Sequence, residues 1–204
     1  MSNGVTSYEA VTIAALYVDV RRGPYAHIPG VECWGVEKDA DDYPGPHQVV
    51  AHPPCGHWGR YHQKAWDDGH NGPIAVGFVR TYGGVLEHPV NSKLWTACDM
   101  PKPGHPPDIW GGWTLTVVQR DWGHRADKPT WLYIVGCTAG DLPERPPHTP
   151  PVVAPPTPGK TRGILERLSK TQRHLTPPAF AAWLVEVARR CRPPGLPGNL
   201  RPAE

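Results

Sequence analysis

A chain of 204 residues with a formal net charge of +2 fits one ordinary domain plus a modest tail. The near-balanced charge excludes a blanket polycation that coats nucleic acid, so a nucleic-acid partner has to be argued from local groups. No apolar run approaches the roughly 18 residues of a membrane span, and 27 prolines, far above the usual share, imply long loops and rigid turns.

The N-terminal stretch carries no basic leader, and its apolar residues 11–20, VTIAALYVDV, predict a buried strand. Residues 21–30, RRGPYAHIPG, break it, and ECWGVE at 32–37 predicts the next strand. DADDY at 39–43 reads as a solvated turn. QVVAHPPC at 48–55 is a short strand running into a proline-stiffened loop, which places Cys55 at a strand's carboxyl end. PIAVGFVRTY at 73–82 is helix-compatible, and GGVLEHP predicts a strand ending at Glu87. WTLTVVQRDWG and KPTWLYIVG, joined by HRAD, predict a hairpin. Residues 142–158 are about half proline and read as an extended linker. LTPPAFAAWLVEVARRC is a helix with Thr176 as N-cap, proline in its first turn, and Phe180, Leu184 and Val187 on one face for docking.

The pattern predicts an α/β sheet ending in an antiparallel pair. Its organisation is a body over residues 1–141, a proline-rich linker at 142–160, a docking helical segment at 161–192 and a disordered tail at 193–204. Five cysteines without paired spacing read as reduced thiols in a cytoplasmic setting. Ligands of such sheets bind beyond the carboxyl ends of the strands, where both Cys55 and Glu87 fall.

Cys55 has His52, His57, Arg60 and His62 close in sequence, and positive charge lowers a thiol's pKa and makes it a nucleophile. Two other readings stay open. His52, Cys55, His57 and His62 form a candidate metal-ligand set, although their spacing matches no standard zinc knuckle and CxxC is absent. Alternatively the chain is a non-catalytic DNA-binding or regulatory protein, with Trp34, Trp58, Trp66, Trp110 and Trp122 as stacking platforms. For any one tryptophan, plain packing is the commoner role.

VVAHPPCGHW, GVLEHPVNSKLW and QRDWGHRADKPTWLYIVG, in that order, resemble the second half of the catalytic domain of DNA (cytosine-5) methyltransferases. The resemblance covers residues 48–136 with ordered motifs and 14–40 loosely. It implies a reduced, Rossmann-like S-adenosylmethionine-methyltransferase sheet in a single domain, and a base flipped out of DNA. It makes Cys55 the nucleophile at carbon 6 of the base and Glu87 the acid that activates the ring, with Arg125 in support. It assigns His52, Pro54, His57, Trp58, Arg60, His88, Arg120 and Lys128 to substrate binding. Glu37 stands where the family's ribose-binding acid would be, with Asp19 and Gly23 in place of its glycine-rich turn, which is absent. His88 replaces the family's asparagine after the glutamate, and no target-recognition domain is present. The donor is therefore S-adenosylmethionine, another one-carbon donor, or none. The expected partner is DNA or a pyrimidine nucleotide, with no membrane, and a homo-oligomer stays open. The compact form is similar to phage or prophage products, whose setting is the cytoplasm of a bacterial host.

Overall fold

The computed structural model describes residues 12–59, 69–150 and 174–194, together with 153–154, 164–165, 169 and 172. Six strands form one sheet: β1 (Ile13–Leu16), β2 (Val31–Trp34), β3 (Val49–Ala51), β4 (Gly84–Pro89), β5 (Trp113–Val118) and β6 (Pro129–Val135). Their order is β2-β1-β3-β4-β6-β5. The first four run parallel, while β6 pairs antiparallel with both β4 and β5. The predicted hairpin is thus present, but its second strand is the inner one, inserted between β4 and β5. A two-residue pair, β7 (Val153–Ala154) with β8 (Ile164–Leu165), lies apart from the main sheet.

Side chains alternate across the sheet and divide the core into two layers. Ile13, Ala15, Val50, Val85, Leu132 and Ile134 face helix α3 (Pro178–Arg190), which buries Phe180, Trp183, Leu184 and Val187 against them. Each such side chain contributes roughly 1.5–3 kcal/mol by leaving water. Ala14, Leu16, Val49, Ala51, Leu86 and Tyr133 face the other way, onto Ala75, Val76 and Val79 of α1 (Asn71–Tyr82) and Leu94 and Trp95 at the short α2 (Leu94–Ala97). The Gly83-Gly84 step between α1 and β4 is a steric necessity. Gly83 ends the helix at φ 75°, and a Cβ on Gly84 would lie 2.0 Å from the carbonyl oxygen of Val49.

Two boundaries and one turn differ from the sequence expectation for local reasons. β1 stops at Leu16 because Tyr17 takes φ 61° and the Asp19 carboxylate then accepts the backbone N–H groups of Arg21 and Arg22, at 3.0 and 2.9 Å. Helix α3 has Pro177 as its N-cap, without a side-chain cap, and Thr176 lies one residue earlier. A residue preceding proline is kept out of the helical region, so Pro177, which precedes Pro178, ends the extended segment. DADDY is a turn with Asp39 and Asp42 exposed, but Asp41 is drawn out of solvent. The Asp41 carboxylate accepts from Tyr17 Oη at 2.6 Å and Asn71 Nδ2 at 2.9 Å, and lies 3.0 Å from His70 Nε2.

Residues 142–150 have no regular secondary structure, yet they are tied to the body. Trp183 Nε1 donates to the carbonyls of Pro143 and Glu144, and the Asp121 carboxylate accepts the backbone N–H of Thr149. Among the described residues no helix is long and apolar enough to cross a membrane.

Candidate functional site

Strand parity decides which side chains meet at the carboxyl ends of β3 and β4. His52 continues the face of Val50, Glu87 that of Val85, Gln119 that of Val117, and Thr130 that of Leu132, so all four project onto the α3 side. Tyr25 enters the same layer from the 3-10 turn Pro24–His27. The result is a continuous polar chain in an apolar setting. Tyr25 Oη lies 2.5 Å from His52 Nε2, and His52 Nδ1 lies 2.9 Å from Glu87 Oε2. Gln119 Nε2 donates to Glu87 Oε1 at 2.9 Å and to Thr130 Oγ1 at 3.0 Å.

Burial alone would raise the pKa of Glu87, but the His52 hydrogen bond, the charge on His52 and the Lys128 ammonium outweigh it, holding the carboxyl at about 2. Glu87 is therefore a carboxylate at neutral pH, not the acid that the sequence reading expects. Tyr25 is 1 % exposed, and burial, followed by the charge of Glu87, pushes its hydroxyl pKa up, so it keeps its proton.

Cys55 is half-buried in the loop leaving β3. Lys128 feels the charge of both the thiol and the carboxylate: burial lowers its pKa, while Glu87 and Cys55 both pull it back up. Its Nζ also donates to the carbonyl of Leu175, just ahead of α3, at 2.9 Å. Lys128 sits at φ 44°, an uncommon conformation for a side chain of its size.

The other residues expected at the site scatter. His88 is 1 % exposed and faces away from Glu87, its ring 6.4 Å from that of Trp95, because neighbours on a strand point to opposite faces. Arg120 is 5 % exposed and ion-paired to Asp127, with Nε at 2.6 Å, so it clamps the β5–β6 turn. Arg125 lies exposed in that turn. The Trp58 indole packs with α1, so close that a Cβ on Gly72 would lie 2.6 Å from its Nε1, and the His57 ring packs edge-on against Trp58. Trp34 and Trp122 belong to the two cores, and Arg80 covers the Trp110 ring at 3.8 Å. Arg60, His62 and Trp66 lie outside the described residues. Both ring nitrogens of His52 are engaged, and among the described residues no three His, Cys, Asp or Glu side chains gather as a metal-ligand group.

A second feature adjoins the first. A cleft of about 540 Å³ opens at the carboxyl ends of β1 and β2, lined by Asp19, Arg21, Val36, Glu37, Pro54 and Asn71 among others. That volume suits a small molecule of nucleoside size. Arg21 closes one side through a two-pronged pair with Glu37, at 2.9 and 3.2 Å. Val36 is fully exposed at the rim. Gly23 is not part of the lining. It closes the preceding turn, where a Cβ would lie 2.5 Å from the Asp19 carbonyl oxygen.

The sequence reading missed Tyr25, Gln119 and Thr130. For Gln119 and Thr130 the signal was present, since each stands two residues from a core position of its own strand or strand extension. Compared with known proteins, the chain matches no family model, no curated protein and no solved structure.

Proposed function

We propose that this chain modifies a pyrimidine base in DNA, with Cys55 as the nucleophile and Glu87 as the group that engages the edge of the ring. One observation carries the reading. Pro54 lines the nucleoside-sized cleft, the next residue is Cys55, and the charge of Lys128 lies within reach of both that thiol and a carboxylate set among fixed donors. A thiol and the edge of a cleft for a second reactant thus share the loop that leaves β3, and a ring-binding carboxylate stands on the adjacent strand β4.

The thiolate adds its electron pair to carbon 6 of the base, and the carbon 5–carbon 6 π pair moves onto carbon 5 and into the ring. Lys128 favours the thiolate by its charge. Ionised Glu87 accepts a hydrogen from an exocyclic amino group, which orients the ring. Once carbon 5 has used that pair to bond an electrophile, loss of its proton to a water molecule returns a pair to the carbon 5–carbon 6 bond, expels the thiolate and restores the aromatic ring.

The cleft residues fit S-adenosylmethionine as the second reactant. Asp19, Glu37 and Asp39 set three carboxylates against one Arg21 around the cleft, which suits a cationic ligand, and Val36 offers an uncovered apolar surface. Glu37, released from Arg21, would take the ribose hydroxyls, and Val36 would cover the nucleobase. Bound there, the cofactor supplies an electrophilic methyl group.

The test is intact mass under denaturing conditions, after incubation with a duplex containing 5-fluorocytosine, with and without S-adenosylmethionine. A cofactor-dependent adduct supports the reading, and a Cys55→Ser protein should form none. Absence of an adduct in both conditions would overturn it. A parallel arm with 5-fluorodeoxycytidine monophosphate separates a DNA substrate from a free nucleotide.

A further inference from the structure

The hydrogens around Glu87 can be assigned one by one. Thr130 Oγ1 donates its only hydrogen to the backbone carbonyl of Lys128 at 3.0 Å, which leaves that oxygen as an acceptor for Gln119 Nε2. The second Nε2 hydrogen of Gln119 points to Glu87 Oε1, so the amide is fixed with its nitrogen toward the carboxylate. On the other side an ionised carboxylate only accepts, so His52 Nδ1 bears a hydrogen facing Oε2. His52 Nε2 is held in turn by the buried hydroxyl of Tyr25 at 2.5 Å. Both oxygens of Glu87 thus receive hydrogens, and neither gives one.

We infer that Tyr25 and His52 are positioning residues of the proposed reaction: they act through Glu87, fixing it as an oriented hydrogen-bond acceptor beneath the base. The inference rests on the functional reading above for its link to a base, while the hydrogen-bond chain stands independently of that reading. Tyr25 cannot reach a substrate itself, because it is 1 % exposed, and His52 presents both nitrogens to protein groups. The titratable groups around Glu87 are His52 from the loop after β3, Lys128 from the turn before β6, and His88 on its own strand. Tyr25 stands behind His52, and Cys55 beside Lys128. Of these, only His52 both bonds to Glu87 and bears on its charge. Lys128 acts by charge alone, so removing His52 leaves burial opposed by charges without a hydrogen bond.

The experiment reads the Glu87 side-chain carbon by carbon-13 NMR in glutamate-labelled protein, assigned with Glu87→Gln, between about pH 4 and about pH 8 without ligand. The wild type should be flat. His52→Ala should bring a titration step into that window. His52→Asn, whose amide nitrogen stands near the place of Nδ1, should remain flat. Tyr25→Phe should leave the carboxylate ionised but release the far side of the His52 ring, read as a shift of its Nε2 nitrogen-15 resonance. Adduct formation with the 5-fluorocytosine duplex at neutral pH should fall about 100-fold in His52→Ala, the cost of a misplaced reacting group, and return largely in His52→Asn. If His52→Ala does not fold, His52→Asn and Tyr25→Phe still decide.

A wild-type Glu87 that titrates above about pH 4, or a His52→Ala protein that stays flat, overturns the inference. So does an unchanged adduct rate in His52→Ala. Absence of an adduct in every protein, wild type included, rejects the proposed function instead, and the carbon-13 titration then still decides whether Tyr25 and His52 hold Glu87 as an acceptor.

Discussion

Two carboxylates, Glu87 near the carboxyl end of β4 and Glu37 just past that of β2, stand on one sheet with two strands between them and are held in opposite ways. Glu87 and its partner His52 each expose 12 % of their side chains, and every oxygen of the carboxylate has a fixed donor. Glu37 and its partner Arg21 expose 53 % and 75 %, and the pair is open to water. A buried, fully satisfied network is rigid and costly to break, whereas an exposed ion pair is worth little and exchanges readily. The contrast separates two kinds of site. On the proposed function, the Glu87 region is set in advance for a group of fixed shape, and the exposed Glu37 pair is a latch that a ligand displaces.

The largest effect that would break this comparison is at the thiol between the two regions. Cys55→Ser should abolish the covalent adduct while leaving duplex binding, read by fluorescence anisotropy, unchanged. Next, Glu87→Gln should slow adduct formation by roughly 100-fold or more, since it removes the charge around which the chain is organised. A rate within a few-fold of wild type would make the network merely structural.

Stability against acid sharpens the contrast. The folded pKa of Glu87, about 2, lies below its ordinary 4.5, so the unfolded chain binds its proton more readily. The stability this group contributes is complete above about pH 4.5 and is lost as pH falls toward about 2, in total on the order of 3 kcal/mol. Denaturant titrations over that range should show the loss, and Glu87→Gln should lack this component. The smallest effect is expected at the latch. Glu37→Gln should leave the melting temperature nearly unchanged, as exposed pairs do, while weakening S-adenosylmethionine binding in calorimetry. A large fall in melting temperature there would erase the distinction between the two regions.

Much of the sheet was legible in the sequence because its strands are short apolar runs closed by Gly, Pro or Asp, although β3 stops four residues before Cys55 and β4 runs two residues beyond Glu87. Parity was the signal left unused. Glu87 and His88 are adjacent on one strand and cannot share a face, and Gln119 shares the face of Val117. Tyr25 was beyond reach, since RRGPYAHIPG reads only as a break and nothing local places a ring from it beside β3. Arg120 looks like a free cation in sequence, and only the fold of the turn pairs it with Asp127. The Asp41 cluster likewise joins residues up to 30 positions apart, which a local reading takes for a solvated turn.

The most direct test of the central claim is to digest the complex trapped on a 5-fluorocytosine duplex and locate the modified nucleotide by tandem mass spectrometry. The account predicts it on Cys55, with Cys33, Cys98, Cys137 and Cys191 unmodified. A nucleotide on any other residue, or a trapped complex whose Cys55 peptide is unmodified, would contradict it.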